Sequence, residues 1–418
     1  MQKNKINKSS NKKTISIKKC RSCNSTNLEE IITLGNLYLS DFLQKNVKPK
    51  SFPLTLVLCN KCFLLQLRHT SPPSSLYTER YGYKSGINKT MKSELEEIAK
   101  DALVKLNKKP KEITVVDIGA NDGTLLSFYP KEVYRIAVEP IKKFAKESKK
   151  HADEVINDFF SYETFTKKIK NKNADVVTAI SCFYDMPDPN KFVMDVKKIM
   201  KDDGIFIIQQ NYLVGMLEQN AFDNIVHEHL EYYSLLSLSN LLKKYDLEIF
   251  DVKLRDLNGG SFKTYIAHTG KRTISKNVLK MQLTEKKLKL NNKKIYKDFG
   301  KRINENKKEL SELIKKILKE KKSIYIYGAS TRGNTLLQFY KLNNKHIKYA
   351  VERNSEKHGK IIASVGIPII SEEQARIDHP DYMLILPWFF KSEFLEREKT
   401  YLKKGGHFIF PLPKLEVI

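Results

Sequence analysis

Two cysteine pairs, Cys20/Cys23 and Cys59/Cys62, constrain the start of this chain more than any other feature of it. Each CxxC turn lets two sulfurs converge, and four thiolates complete a tetrahedral zinc site with Zn–S distances of about 2.3 Å. The stretch from Asn24 to Leu58 is longer than the usual link between such pairs, so a folded excursion must join them, a hairpin containing Leu34, Gly35 and Tyr38. Redox use of CxxC is the competing possibility, but two copies without a thioredoxin-like strand pattern speak against it. Four protein ligands leave no open position, so the expected role of Zn(II) is structural, stapling a small domain over residues 19–70. Residues 1–18 are expected to form a flexible basic tail. The fifth cysteine, Cys182, stands apart.

The chain has 418 residues, 41% hydrophobic and 29% charged, which is the composition of a folded protein with several domains. Its net charge of +27 would attract any polyanion. Yet the surplus lysines, such as Lys13, Lys172, Lys345 and Lys348, are scattered through Asn- and Ile-rich sequence, as on solvated faces. Arg-rich clusters and aromatic RNA-binding signatures are not evident, so no nucleic-acid partner is expected. No stretch approaches the roughly 20 apolar residues of a membrane helix, and the first 19 residues contain no apolar signal core. A cytoplasmic protein without membrane insertion is the expectation. The oligomeric state is not legible, and a monomer is compatible with the sequence.

Beyond the turn at Ser71, Pro72 and Pro73, the segment 81–106 has helical spacing, with Met91, Leu95, Ile98, Leu103 and Leu106 near one stripe. Four β-branched apolar runs follow, at 113–118, 134–140, 174–180 and 204–210, separated by amphipathic connectors such as 192–200. Buried parallel strands read this way, which predicts a doubly wound α/β domain over residues 71–270. Residues 271–322 are Lys-rich, but Leu310, Leu313, Ile314, Ile317 and Leu318 keep a helical period, predicting a helical connector. A second α/β pattern occupies 323–418, starting with the runs 323–339, 347–354 and 382–388. The fold class is thus α/β, a doubly wound sheet flanked by a small zinc-binding domain and a second Rossmann-like domain.

The chemistry concentrates in three places. The first βα turn, Asp117-Ile118-Gly119-Ala120-Asn121-Asp122-Gly123, follows a buried strand and is expected to lead into a helix near Leu125. Its glycines permit close backbone approach to a nucleotide-like ligand. It is not GxGxxG, and the acid before the first glycine would repel a pyrophosphate but suit a sulfonium carrying an amino-acid tail. That favours S-adenosylmethionine over a dinucleotide. Glu139, at the next strand end, is placed to accept from ribose hydroxyls, and Asp158 to accept from the adenine amine. The second place is His227-Glu228-His229, where a metal or acid/base chemistry is possible. Methyl transfer needs no metal but does need a base beside the nucleophile, and a neutral histidine qualifies. One of the pair is expected to be that base, with His229 preferred. The third is Gly328-Ala329-Ser330-Thr331-Arg332-Gly333-Asn334. There Ser330, Arg332 and Asn334, with Glu352 at the following strand end, are candidates for holding a diphosphate and its nucleotide.

Taken together, VVDIGANDGTLL, FDNIVHEHLEYYS with NGGSF, and YGASTRGNTLL with ERNSEKHGK and LPW resemble the nucleotide-sugar C-methyltransferases of deoxysugar and surface-polysaccharide pathways, from Cys20 to about Pro413. The resemblance implies a class I methyltransferase domain, S-adenosylmethionine as cofactor and a nucleotide-diphosphate keto sugar as substrate. It implies proton abstraction by His229, contact of Glu228 with the sugar, an active-site Tyr81 and a cofactor-side Tyr83 in the YGYKS segment. It also implies a substrate loop at Asn258, Gly259, Gly260 and Ser261. Two positions depart from the pattern: Val226 stands where some relatives have tyrosine, and Asp185 where they have histidine. Those changes reshape the sugar site and leave carbon and oxygen acceptors both open. The alternatives are therefore a sugar O-methyltransferase on the same scaffold, and a zinc-ribbon methyltransferase that binds nucleic acid.

Overall fold

The computed structural model describes residues 14–44, 49–79, 81–87, 89–255 and 259–418. Most of the basic tail, and Asn258, lie outside the described residues.

The central layer is a seven-stranded sheet. From one edge its order is Leu247–Arg255, Ser261–His268, Met200–Asn211, Ala174–Ile180, Thr114–Ile118, Tyr134–Val138 and Glu154–Ile156. Six strands run parallel, and Ser261–His268 is inserted antiparallel between two of them. This is the class I methyltransferase arrangement. The expected strands are present because both sheet faces are covered, which is what lets VVDI and VVTAI be apolar at successive positions. Helix Pro189–Ile199, started by an Asp188 side chain that accepts from the Lys191 N–H, is the amphipathic connector expected at 192–200. Helix Lys89–Leu106 buries Met91, Leu95, Ile98 and Leu106 on one face. Its polar edge is fixed by the fully buried Lys263, whose ammonium lies 3.3 Å from each of Glu94, Glu97 and Asp101.

The helix expected after the first glycine loop is reduced to a single tight turn, Leu126–Phe128. Backbone groups of the loop itself, rather than a helix N-terminus, must therefore meet any ligand there.

The hairpin between the cysteine pairs is formed by Leu28–Tyr38 and Ser51–Cys59, and Leu65–Leu67 extends it. Its fourth strand, Glu231–Tyr232, comes from the methyltransferase domain. Phe42–Leu43 in turn joins the far edge of the C-terminal sheet by pairing with Ile361–Ile362. The small domain is thus sewn into both larger ones. The connector consists of helices Lys276–Lys287 and Lys293–Lys319. The longer packs so closely on the hairpin that a Cβ on Gly300 would lie 3.0 Å from the Ile31 carbonyl oxygen. The C-terminal domain has five parallel strands centred on Ile324–Tyr327, with antiparallel strands toward both edges. No helix among the described residues is long and apolar enough to cross a membrane.

Candidate active site

The four expected cysteine ligands meet, with all Sγ atoms within 4.8 Å of one another and Cys20–Cys62 and Cys23–Cys59 at 3.5 Å. Tetrahedral sulfurs at about 2.3 Å from zinc stand close to 3.8 Å apart, so the donor set fits a structural Zn(II). The Gln66 amide donates to Cys20 Sγ at 3.1 Å, and its carbonyl oxygen accepts from the Arg21 N–H at 3.0 Å. Arg21 also approaches Glu231 at 3.7 Å, and both side chains are buried, which carries the zinc knuckle directly onto the strand that follows the histidine pair.

A cavity of about 390 Å³ opens at the C-terminal ends of the parallel strands, where α/β sheets bind ligands. One wall is the glycine loop. Gly119 adopts φ +73°, and a Cβ there would lie 3.0 Å from Cys182 Sγ, so the backbone is bare toward the cavity. Glu139 lines the same wall, with its carboxylate accepting from the Asn121 N–H at 2.9 Å and the Ile141 N–H at 2.8 Å. Burial pushes its pKa up. A bare glycine loop beside a fixed carboxylate fits the ribose and tail of S-adenosylmethionine.

Other expected cofactor residues have more indirect places. Asp117 is buried beneath the loop, accepting from the Thr178 hydroxyl at 2.6 Å. It borders a void of about 30 Å³ that shares Tyr83, Ser85 and Gly119 with the main cavity. Burial pushes its carboxyl up to about 7. Asn121 lines the cavity but spends its side chain on the Tyr83 carbonyl and the Ser85 N–H, and Asp122 binds the Gly86 N–H at 3.0 Å. These two residues tie segment 81–87 across the loop, and the Asp122 carboxylate is not part of the cavity wall. Gly123, at φ +81°, passes against Ser148, where a Cβ would come within 2.9 Å of its Cα. Asp158 is exposed beside the cavity residue Phe159, whose N–H its carboxylate accepts at 2.8 Å, and it is not part of the cavity wall.

The opposite wall carries Tyr77, Tyr81, Asp185, His227 and Glu228. Burial raises the pKa of both Asp185 and Glu228, and the neighbouring Glu228 raises that of Asp185 further. The Tyr77 hydroxyl donates to Asp185 at 3.0 Å. Tyr77 was not anticipated from the sequence, although it precedes Tyr81 by one helical turn's spacing and follows the Pro72-Pro73 turn.

The two histidines separate in role. His227 is only 5% exposed, stands edge-on to Phe52 and bonds the Phe52 carbonyl through Nε2 at 3.1 Å. Burial depresses its pKa to about 4. It joins the methyltransferase domain to the zinc-domain hairpin through Nε2 and also lines the cavity, where the sequence makes it a candidate catalytic residue. His229 bonds the Asn224 carbonyl through Nδ1 at 3.0 Å and meets the Tyr184 ring edge-on at 4.4 Å. A carbonyl only accepts, so the imidazole proton sits on Nδ1 and Nε2 keeps its lone pair. Burial, with a smaller contribution from Arg332, lowers its pKa to about 3, keeping the ring neutral.

The candidates of the C-terminal domain do not line this cavity. Ser330 caps helix Thr331–Phe339 by accepting from Gly333, and Asn334 is buried and accepts from the Ser364 hydroxyl. Glu352 accepts from the N–H groups of Ala329, Arg353 and Asn354. Arg332 pairs with Asp223 of the methyltransferase domain, with Nε at 2.9 Å and Nη2 at 2.8 Å. In this structure the polar groups of these four residues are engaged within the domain and at its joint. Gly259 and Gly260 belong to the same joint. Gly259 faces Trp388 and Arg332, and Gly260 faces Gly215. Ser261 pairs with Asn211 across the central sheet.

Family models match in three consecutive pieces: a zinc binding domain over residues 20–77, a methyltransferase domain over 88–252 and a C-methyltransferase C-terminal domain over 256–413. Among curated proteins, the chain is similar to the C-methyltransferase NovU of Streptomyces niveus, with 29% identity over 410 residues, 96% of this chain and 97% of that protein. Solved structures match loosely. The plantazolicin methyltransferase BpumL in complex with SAH matches at TM-score 0.34 and 11% identity, over 42% of this chain and 82% of that one. An S-adenosylmethionine-dependent methyltransferase from Clostridium acetobutylicum matches at TM-score 0.34 and 13% identity, over 43% and 92%.

Proposed function

We propose that this chain, an S-adenosylmethionine-dependent methyltransferase whose residues 256–413 match a C-methyltransferase C-terminal domain, methylates a carbon next to the ketone of a nucleotide-activated sugar. The observation that carries the proposal is the two-sided cavity: a bare glycine loop with Glu139 faces a wall of Tyr77, Tyr81, Asp185 and Glu228. The first wall suits a nucleoside, and the second offers hydroxyl and carboxyl groups to a carbohydrate.

S-adenosylmethionine, when bound, supplies a methyl group on a sulfonium that departs as a neutral thioether. His229 takes the proton from the carbon next to the sugar ketone, and its tautomer leaves Nε2 free for that task. Glu228, whose carboxyl burial pushes above its ordinary range, orients the sugar or hydrogen-bonds near its carbonyl oxygen. Tyr81 and the Tyr77–Asp185 pair, on the same wall, offer further polar contacts to the ring. Asp185 in place of a histidine removes a second candidate base, and His229 directly follows the wall residue Glu228 without itself lining the cavity.

The test uses the purified holoprotein, nucleotide keto sugars, and SAH in deuterated buffer. Wash-in of deuterium next to the ketone, followed by a carbon-bound methyl in product NMR when the methyl donor replaces SAH, is the expected result. A methyl ether formed without wash-in identifies an O-methyltransferase instead.

A further inference from the structure

The sequence blocks FDN, GGSF, STRG and LPW converge on one buried point between the methyltransferase and C-terminal domains, outside the cavity. At its centre is Asp223, which is fully buried. A carboxylate there is costly unless paired. One of its oxygens, Oδ2, accepts from Arg332 Nε at 2.9 Å and from Trp388 Nε1 at 3.1 Å, and forms an ion pair with Arg332 Nη2 at 2.8 Å. The Arg332 guanidinium also lies 4.6 Å from the centre of the Phe389 ring. Gly259, at φ +84°, keeps the loop clear of both partners, since a Cβ there would sit 3.4 Å from Trp388.

Asp223 is the middle residue of the tight turn Phe222–Asn224. On one side of it, Phe222 is gripped by Phe339 and Tyr340 of the C-terminal domain, with ring centres at 5.2 and 5.8 Å. On the other side, the Asn224 side chain accepts from Asn211, and its carbonyl accepts from His229 Nδ1 and from the Tyr232 hydroxyl. The C-terminal domain therefore holds the turn whose last carbonyl holds the histidine.

We infer that Arg332 and Trp388 are positioning residues for His229: by clamping Asp223 they fix the Asn224 carbonyl that keeps the imidazole proton on Nδ1 and Nε2 bare. The inference rests on the proposed role of His229 as base. It gives the C-terminal domain a part in the chemistry without any contact between that domain and the reacting atoms. The positive charge of Arg332, close enough to disfavour protonation of His229, acts in the same direction.

The experiment combines steady-state kinetics with nitrogen NMR of [¹⁵N]histidine-labelled full-length protein, the His229 signals being assigned by their loss in His229→Gln. The native protein is expected to show His229 protonated on Nδ1 and unprotonated on Nε2. In Arg332→Gln, mixed tautomers should appear and kcat should fall about tenfold to a hundredfold, the cost of a slightly misplaced reacting group, while KM for the methyl donor changes less than about twofold. Arg332→Lys should recover part of kcat, because it restores the charge but not the two-pronged contact. Trp388→Phe, which keeps the ring and loses one donor, should give a smaller shift of the same kind and remains informative if Arg332→Gln does not fold. Unchanged tautomer in both Arg332→Gln and Trp388→Phe, or full kcat in both, overturns the clamp. Normal turnover by His229→Gln overturns the base assignment instead, and the tautomer readout then still decides whether the clamp sets the ring.

Discussion

The two α/β domains are wired alike and used differently. In each, a glycine follows the first strand with positive φ, Gly119 at +73° and Gly328 at +92°. In each, an acid at the next strand end accepts a backbone N–H of that loop, Glu139 from Asn121 at 2.9 Å and Glu352 from Ala329 at 3.0 Å. In the first domain the loop borders an open cavity of about 390 Å³. In the second it is filled: Pro387 packs where a Cβ on Gly328 would go, Leu386 does so at Gly333, and Arg332 reaches across to Asp223. A glycine loop braced by an acid is thus a way of shaping a turn. Whether it binds a ligand depends on what occupies the space in front of it.

The difference between the domains depends on the module that joins them, so breaking that module should have the largest effect. Cys59→Ser, or prolonged chelation, should release zinc and lower the melting temperature by on the order of 10 °C or more, because metal binding and folding are coupled. The strand Glu231–Tyr232 then loses its partner Leu65–Leu67, and the histidine pair loses its frame. Activity should fall along with structure in circular dichroism. An intact fold after verified zinc loss contradicts the structural role.

Next in size is the chemistry confined to the first domain. His229→Ala should bind S-adenosylmethionine normally in calorimetry and lose about 10²- to 10⁴-fold in turnover. Near-native turnover removes His229 from the mechanism.

The comparison itself is sharpened by Glu139→Gln against Glu352→Gln. Both variants weaken charge-assisted bonds to backbone N–H groups, each such bond being worth about 1.5 to 3 kcal/mol. Glu139→Gln should weaken S-adenosylmethionine binding about tenfold to a hundredfold. Glu352→Gln should cost about 1 to 2 kcal/mol of stability in denaturant titration and leave that affinity within about twofold. A comparable loss of affinity in both would mean that the second loop also serves the ligand.

Much of this was legible beforehand for physical reasons. Cysteine spacing, apolar strand runs and the acid at each strand end are local signals, and they located the zinc cluster, both sheets, the glycine loop and Glu139. What stayed hidden depends on partners distant in sequence. Nothing local says that His227 will meet Phe52, that Asp122 will bind Gly86, or that Arg332 will find Asp223. A guanidinium after a glycine loop reads as an anion site until the opposing carboxylate is seen. The missing helix after Leu125 is a similar case. The segment 81–87 lies over the loop, bound by Asn121 and Asp122, and only one tight turn follows.

The smallest expected effect separates the two first strands by one residue. Two positions before the glycine, the first domain has Asp117 and the second has Ile326, and both are buried. An apolar side chain costs nothing to bury, whereas burial pushes the Asp117 carboxyl from 3.8 up to about 7. The folded form therefore holds this proton more tightly than the unfolded one. Stability contributed by the protonated state is fully present below about pH 4 and is lost as pH rises through about 7. Thermal melts of the ligand-free protein should fall between pH 5 and pH 8. Glu139, Glu228 and Asp185, also raised by burial, add to that slope in the same sense. Asp117→Asn keeps an oxygen for the Thr178 hydroxyl and removes the charge, so its melting curve should lose part of the slope and lie above the native one at pH 8. S-adenosylmethionine should flatten the native curve more than the variant's, because a cationic ligand offsets the isolated carboxylate. Parallel curves for the two proteins would show that Asp117 is ionised at no cost, and that the first strand is as indifferent to charge as the second.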